Sequence, residues 1–99
     1  MEHKLVDKGW ETVEDLQSLI KTEENNGWNV VAMGKILGAD VLVMTKRDKL
    51  FEHEVFPVEV DSRDQLNMVL AEKIAQGCKI CAIGECQGSP IIIVKKPKQ

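Results

Sequence analysis

The stretch Gly27 to Lys46, GWNVVAMGKILGADVLVMTK, decides the fold because the chain repeats it as Gly77 to Lys96, GCKICAIGECQGSPIIIVKK. The offset is 50 residues throughout, without a gap. Several of the identical positions are glycines, which a backbone needs where it turns. The repeat therefore specifies a shape rather than a reactive site. The identical pairs are Glu2/Glu52, His3/His53, Leu16/Leu66, Gly27/Gly77, Ala32/Ala82, Gly34/Gly84, Gly38/Gly88 and Lys46/Lys96.

The composition is that of an ordinary globular domain. The chain has 99 residues, of which 43% are apolar and 29% charged, and its net charge is −3. We expect one domain, residues 1–99, made of two repeats, 1–49 and 51–99, because a unit of about fifty residues buries too little surface to fold comfortably alone. The negative charge argues against a general nucleic-acid coat protein. No apolar run is long enough to cross a bilayer, so we expect a cytoplasmic protein without a membrane partner.

The sequence pattern of each repeat predicts a β-α-β-β unit. Residues 2–7 and 52–60 are the first strands, and Glu11-Thr12 and Asp61-Ser62 supply hydroxyl or carboxylate caps for the helices that follow. Each helix has one apolar stripe, and two apolar strands joined through a glycine come after it. We predict an α+β fold in which a pseudo-twofold relates the two units. They form one mainly antiparallel sheet or a partly closed barrel, with both helices outside.

The last strands are apolar at successive positions: VVAM, VLVM and IIIV. We expect both faces of such strands to be buried, and two helices cannot cover both faces of six strands. Either the sheet closes into a barrel and the protein is a monomer, or its bare face packs against another subunit. We predict the second, a twofold homodimer that acts by binding another protein, with Val43 and Ile93 as interface residues. Trp10 is either a core residue or a further interface residue.

Cys78 and Cys81 form a Cys-x-x-Cys motif, and Cys86 follows five residues later. This spacing is compatible with a zinc, iron–sulfur or redox site. Residues three apart on a strand, however, point to opposite faces, and all three counterparts in the first repeat are apolar. We therefore predict reduced cysteines that serve as small core residues, with no metal and no cofactor.

His3 and His53 occupy equivalent positions, each after a glutamate. A pseudo-twofold could bring them together as a metal or proton site. The alternative is an exposed strand end that repeats its ancestral sequence. No catalytic triad order, paired-carboxylate motif or phosphate-binding glycine loop occurs, so we predict no catalytic residue and no enzyme activity.

Basic residues follow the second strand of each hairpin and are expected at hairpin tips on one end of the molecule. Nucleic-acid binding through these tips is the alternative function, whereas solvated lysines that protect strand ends are the plainer interpretation. A weaker alternative is a nucleotide or small ligand bound between the repeats. The basic residues are Lys46, Arg47, Lys49, Lys95, Lys96 and Lys98.

The helix followed by Gly-Trp-polar-Val-Val, Gly27 to Val31, resembles a group of small uncharacterised bacterial proteins. In that group a helix ends in a Gly-Trp-Glu run that leads into a β-hairpin. The resemblance covers about thirty residues of the first repeat, and the second repeat has Cys78 in place of the tryptophan. It implies the β-α-β-β unit, and the group has no agreed activity that could be carried over to this chain.

Overall fold

A computed structural model describes residues 2–46 and 51–97. Within these ranges the chain forms two helices and two antiparallel three-stranded sheets, which confirms the predicted α+β class. In chain order the elements are β1 (His3–Val6), α1 (Val13–Asn25), β2 (Trp28–Ile36), β3 (Ala39–Lys46), β4 (Phe51–Pro57), α2 (Arg63–Ala75), β5 (Lys79–Cys86) and β6 (Ser89–Pro97).

The strand order is β1-β3-β2 in one sheet, called sheet A, and β4-β6-β5 in the other, called sheet B. The prediction of one sheet or a partly closed barrel is wrong. β2 and β5 lie side by side, but no hydrogen-bonded ladder joins them in the described chain. The Met33 side chain instead lies against the backbone of Gly84, so side chains rather than backbone groups connect the two sheets.

The two hairpins have the same local irregularities. The register shifts between Val30 and Ala32 and again between Ile80 and Ala82, which marks a β-bulge at equivalent positions. Both hairpins turn through two residues of positive φ, 52° and 80° at 37–38, and 51° and 82° at 87–88, the pattern of a type I′ turn. The repeated stretch therefore has the same local backbone conformation in both repeats. The pseudo-twofold relation between the repeats stays a prediction.

Capping begins both helices at the residues predicted from the sequence. The Thr12 hydroxyl accepts a hydrogen bond from the Asp15 N–H at 3.1 Å, and the Asp15 carboxylate accepts from the Thr12 N–H at 3.3 Å. Ser62 accepts from the Gln65 N–H at 3.2 Å. Gly27 follows α1 with φ of 89°, and its counterpart follows α2 in the same conformation, so each helix is followed at once by a strand.

The helices differ in their surroundings, and the prediction that both lie outside is wrong for α1. Leu16 and Ile20 of α1 are fully buried in a core shared with Leu42 of sheet A and Ile93 of sheet B. α2 has no buried residue and packs a half-buried stripe on the other face of sheet B. The elements are therefore layered as sheet A, α1, sheet B and α2.

This layering buries both faces of β6. Ile91 and Ile93 belong to the α1 core, whereas Ile92 and Val94 belong to the smaller cluster under α2. All four side chains are at most 1% exposed, as the run IIIV predicted. Ile93 was expected on an interface with another subunit, but it lies inside the core of a single chain.

Candidate interaction surfaces

Sheet A has an apolar surface, on the face opposite α1, that no helix of the described residues covers. Leu5 and Val43 are directly paired there across β1 and β3. Leu5 is 53% exposed and Ile36 is 55% exposed, whereas the predicted interface residue Val43 is half-buried. Val41 and Thr45 on this side of β3 are buried, so the uncovered surface follows β1 and the β2 edge. We call it the open face; it comprises His3, Leu5, Ala32, Gly34, Ile36 and Val43.

α2 presents a second uncovered apolar surface. Met68 is 72% exposed and Ile74 is 59% exposed, although both lie on a helix. A groove of about 740 Å³ runs beside Met68, between α2 and the segment that precedes it. Its rim is acidic, with Glu59, Asp61 and Glu72 among the lining residues. α2 thus offers apolar contact area next to negative charge.

The basic residues lie at the open ends of the hairpins, so the prediction that they sit at hairpin tips is wrong. The tips are 37–38 and 87–88, whereas Lys46 and Lys95 are at the far ends of β3 and β6. Arg47, Lys49 and Lys98 lie outside the described residues. Lys46 and Lys96 are exposed, and Lys95 is half-buried.

Aromatic rings hold some of these lysines at the open ends. The Lys4 and Lys46 ammonium groups lie 4.4 and 5.9 Å from the centroid of the Trp28 ring. The Lys95 ammonium lies 4.4 Å from the Phe51 ring centroid. Lys4 also forms an ion pair with Glu23 of α1. Such cation–π contacts fix positive charge near the end of the molecule where α1 ends.

The two histidines have unlike environments. His3 is exposed on β1, whereas His53 of β4 is fully buried. The His53 Nδ1 lies 3.1 Å from a Glu24 carboxylate oxygen, and its Nε2 accepts a hydrogen bond from the Val30 N–H at 3.2 Å. Both ring nitrogens are thus used inside the core, where His53 connects α1, β2 and β4. Burial lowers the pKa of His53, and the nearby Glu24 only partly opposes this effect.

The three cysteines are free and occupy two different packing environments. Cys78 packs in the cluster under α2, whereas Cys81 packs against the α1 core and Cys86 lies within it. Burial raises the pKa of the Cys81 thiol to about 11. Burial also raises the pKa of Cys86, with further contributions from nearby carboxylates, Asp40 first. Both thiols are therefore protonated at neutral pH, unlike a reactive cysteine.

Trp10, which the sequence left open as core or interface, is 8% exposed and belongs to the α1 core. It also lines a cavity of about 330 Å³ between the two hairpin turns. Residues of both repeats contribute to this cavity, among them Lys35, Asp40 and Gln87. Two carboxylates, Asp7 and Asp40, face one lysine there, a charge balance that disfavours nucleotide phosphates.

Two polar residues of α1 that connect the repeats were not singled out from the sequence. The Gln17 side-chain amide donates to the His53 C=O at 3.1 Å and accepts from the Val55 N–H at 2.7 Å. Glu24 accepts from the His53 N–H at 2.6 Å. The signal for Glu24 is its position in the last turn of a helix, where a carboxylate is unfavourable without a partner.

Within the described ranges, no group of three or more His, Cys, Asp or Glu side chains is placed to hold a metal ion. Neither helix in that part of the chain has the length and hydrophobicity required to span a membrane. Comparison with family models, curated proteins and solved structures gave no significant match. The resemblance at Gly27 to Val31 therefore stays a likeness of one short motif.

Proposed function

We propose that the protein is a non-enzymatic interaction protein that self-associates through the open face of sheet A and acts by binding another protein. The observation behind this proposal is the exposure of Leu5 and Ile36 on a β-sheet face that no helix covers among the described residues. Large apolar side chains exposed on one face of a protein indicate an interaction site more than singly scattered ones do. β1 beside this face is also an edge strand, and no other strand of the described residues pairs with its outer side.

The state of the nucleophilic and basic groups supports a non-enzymatic role. His53 uses both ring nitrogens for bonds within the core and is fully buried, so it cannot take a proton from a substrate in solution. The Cys81 and Cys86 thiols have raised pKa values, which removes the thiolate that a nucleophile requires.

Light scattering over a micromolar concentration series tests the self-association. We expect a mass that rises above the 11.1 kDa of one chain, and Leu5→Lys is expected to return it to one chain. Val43→Lys is a second variant on the same face. Gln87→Lys, at an exposed position in the hairpin turn of sheet B, is the charge-matched control and is expected to associate like wild type. A wild-type mass of one chain at every concentration would contradict the proposal.

Partner binding is tested by co-purification from the native host. We expect a partner that is retained by wild type and by the Gln87→Lys control but does not co-purify with Leu5→Lys. Equal retention by all three proteins would show that the partner does not use the open face.

Nucleic-acid binding is the second candidate, and the lysines around Trp28 and Phe51 favour it. Ordered lysines next to aromatic rings combine charge for phosphates with faces on which bases can stack. The opposite end of the molecule is acidic, since Asp40, Asp15 and Glu14 lie close enough to Cys86 to raise its pKa. An approaching polyanion would thus meet the basic end.

The salt dependence of binding to single-stranded DNA tests this candidate. Replacing Lys46 and Lys96 by glutamate should weaken binding and make the dependence of log K on log salt shallower, by about 0.7 in slope for each phosphate that is no longer neutralised. Lys35→Glu, near the hairpin turn at the other end, is the matched control. Unchanged binding after the double substitution would exclude the basic end as the binding site.

A further inference from the structure

Contacts between the two repeats show how a helix covers one face of sheet B, and they suggest what could cover the open face of sheet A. α1 of the first repeat lies along β4, the edge strand of sheet B. The Gln17 amide bonds the outward backbone groups of β4, the His53 C=O and the Val55 N–H. A side-chain amide on a helix thus takes the place of a missing neighbouring strand.

The residues fifty positions away do not make the equivalent contacts within the described chain. The counterpart of Gln17 is Asn67, an exposed amide on α2 that is shorter by one methylene. The counterparts of His53 and Val55 are His3 and Leu5, which are exposed on β1. β1 is the edge strand of sheet A, as β4 is of sheet B. Within the described residues, β1 of the first repeat therefore has no helix along its edge, and α2 of the second repeat lies along no strand edge.

A second internal contact has the same vacant counterpart. A Cβ atom on Gly84 would lie 3.0 Å from the Met33 side chain, so this glycine makes room for methionine. The counterparts are Ile83, which is 47% exposed, and Gly34, which has no atom within 4 Å of the position of a Cβ. Gly34 does not adopt positive φ. Nothing within the described chain therefore requires a glycine there.

Two further exposed apolar side chains, Ile36 and Ile74, follow the same pattern. Ile36 of sheet A is 55% exposed, whereas its counterpart Cys86 is 3% exposed in the core below α1. Ile74 of α2 is 59% exposed, whereas its counterpart Glu24 is 4% exposed against β4. Each large exposed side chain named here belongs to a surface that is covered in the other repeat.

We propose that the open face of sheet A binds α2 and Ile83 of a second copy of this chain, so that copies assemble head to tail. α2 of one copy would lie along β1 of the next, as α1 lies along β4 within the chain. The two surfaces differ, so the contact is heterologous and leads to an open chain of copies or a closed ring. It replaces the twofold dimer predicted from the sequence. This inference rests on the self-association in the proposed function and names its geometry.

Two singly blocked variants test the head-to-tail contact. Leu5→Lys blocks the sheet surface and leaves α2 intact, whereas Ile74→Lys blocks the helix surface and leaves sheet A intact. Both residues are exposed, so the fold tolerates the change, which circular dichroism and thermal unfolding verify. Met68→Lys on the same helix is the matched control, because its counterpart Ser18 is exposed in the internal arrangement.

Mass measurements on each variant and on their equimolar mixture give the decisive result. We expect each variant alone to have the mass of one chain, and the mixture to form a complex of two chains but no larger species. The Met68→Lys protein is expected to assemble like wild type. A twofold interface predicts no such complementation, since both copies must then present the same surface.

Other outcomes separate this inference from the proposed function. If Ile74→Lys alone assembles like wild type while Leu5→Lys does not, self-association through the open face stands and the head-to-tail contact is wrong. If both variants are monomeric and their mixture stays monomeric, the head-to-tail contact is also wrong. If wild type itself is monomeric at every concentration, self-association fails and this inference fails with it.

Discussion

Leu37 has a backbone conformation that is unfavourable for leucine. It is the first residue of a type I′ turn with φ of 52°, and its side chain is fully exposed. A leucine at positive φ is strained, whereas asparagine and glycine adopt this conformation readily. The fold tolerates the strain because the strands on both sides are held by a regular ladder from Ala32 to Val43.

Leu37→Asn is therefore expected to stabilise the protein. The free energy of unfolding in urea should rise by about 0.5–1 kcal/mol, since the strain is relieved and the exposed leucine contributes no packing. Leu37→Ile is the control and is expected to lower stability, because a β-branched side chain is less tolerant of positive φ. A decrease in the stability of Leu37→Asn would show that the leucine side chain makes a stabilising contact in this protein.

His53 makes stability sensitive to acid. Burial lowers the pKa of His53 in the folded state below its ordinary value of 6.5, so the unfolded chain binds more protons just below that pH. The stability that the neutral, buried His53 ring contributes is fully present above about pH 6.5 and is lost as the pH falls further. The free energy of unfolding, measured in urea from about pH 7.5 to 5.5, should therefore decrease toward the acid end.

Two variants assign this slope to one residue. His53→Asn is expected to remove it, and His3→Asn, which changes the exposed histidine, is expected to retain it. Because His53→Asn leaves Glu24 and the Val30 N–H with altered partners, NMR titration of the wild-type ring is an independent check. A His53 ring that becomes protonated above pH 6.5 would contradict the account.

At the scale of elements, the sequence predicts the helices and hairpins well because their signals are local. Thr12 and Ser62 cap the helices, and the glycines at 27 and 77 end them. The burial of α1 is not local. Both helices have apolar residues at helical spacing, but α2 is apolar on its outer side as well. The core contacts of Leu16 and Ile20 and the hydrogen bonds from α1 to β4 show that α1 contacts two sheets.

β3 and β6 are equivalent in sequence but differ in burial, which predicts different responses to truncation. Ile93→Ala is expected to reduce the free energy of unfolding by about 2–5 kcal/mol, since Ile93 is fully buried in the core around α1. Val43→Ala at the equivalent half-buried position is expected to change it by less than about 1.5 kcal/mol. Urea unfolding of the monomeric protein measures both, and equal decreases would contradict the layered arrangement.

At the scale of the whole molecule, composition and periodicity predict how much apolar surface must be buried, but not which elements bury it. The runs VVAM, VLVM and IIIV indicated strands that are buried on both faces. Either a closed barrel or a sheet that packs against another subunit would bury them. Within the described residues, the structure buries both faces of β6, the central strand of sheet B, and leaves sheet A partly uncovered. This difference arises from long-range docking of α1 on β4, which no short pattern encodes.

The glycine pair at 34 and 84 predicts opposite responses to one substitution. Gly34→Val should raise the free energy of unfolding by about 0.5–1 kcal/mol, because valine suits a strand and no atom lies in its way. It should also weaken self-association. Gly84→Val should lower stability by about 1–3 kcal/mol, because its side chain would collide with Met33. Urea unfolding and light scattering measure the two effects, and unimpaired association of Gly34→Val would contradict the proposed contact.

Hydrogen–deuterium exchange at low and high protein concentration tests the assembly most directly, because it reports on both proposed surfaces in the wild-type chain. We predict that amides of β1 and of α2 become protected together as concentration rises, while β4, whose edge α1 already covers, does not change. Exchange in β1 and α2 that is independent of concentration, or protection that appears in β1 alone, would contradict the head-to-tail account.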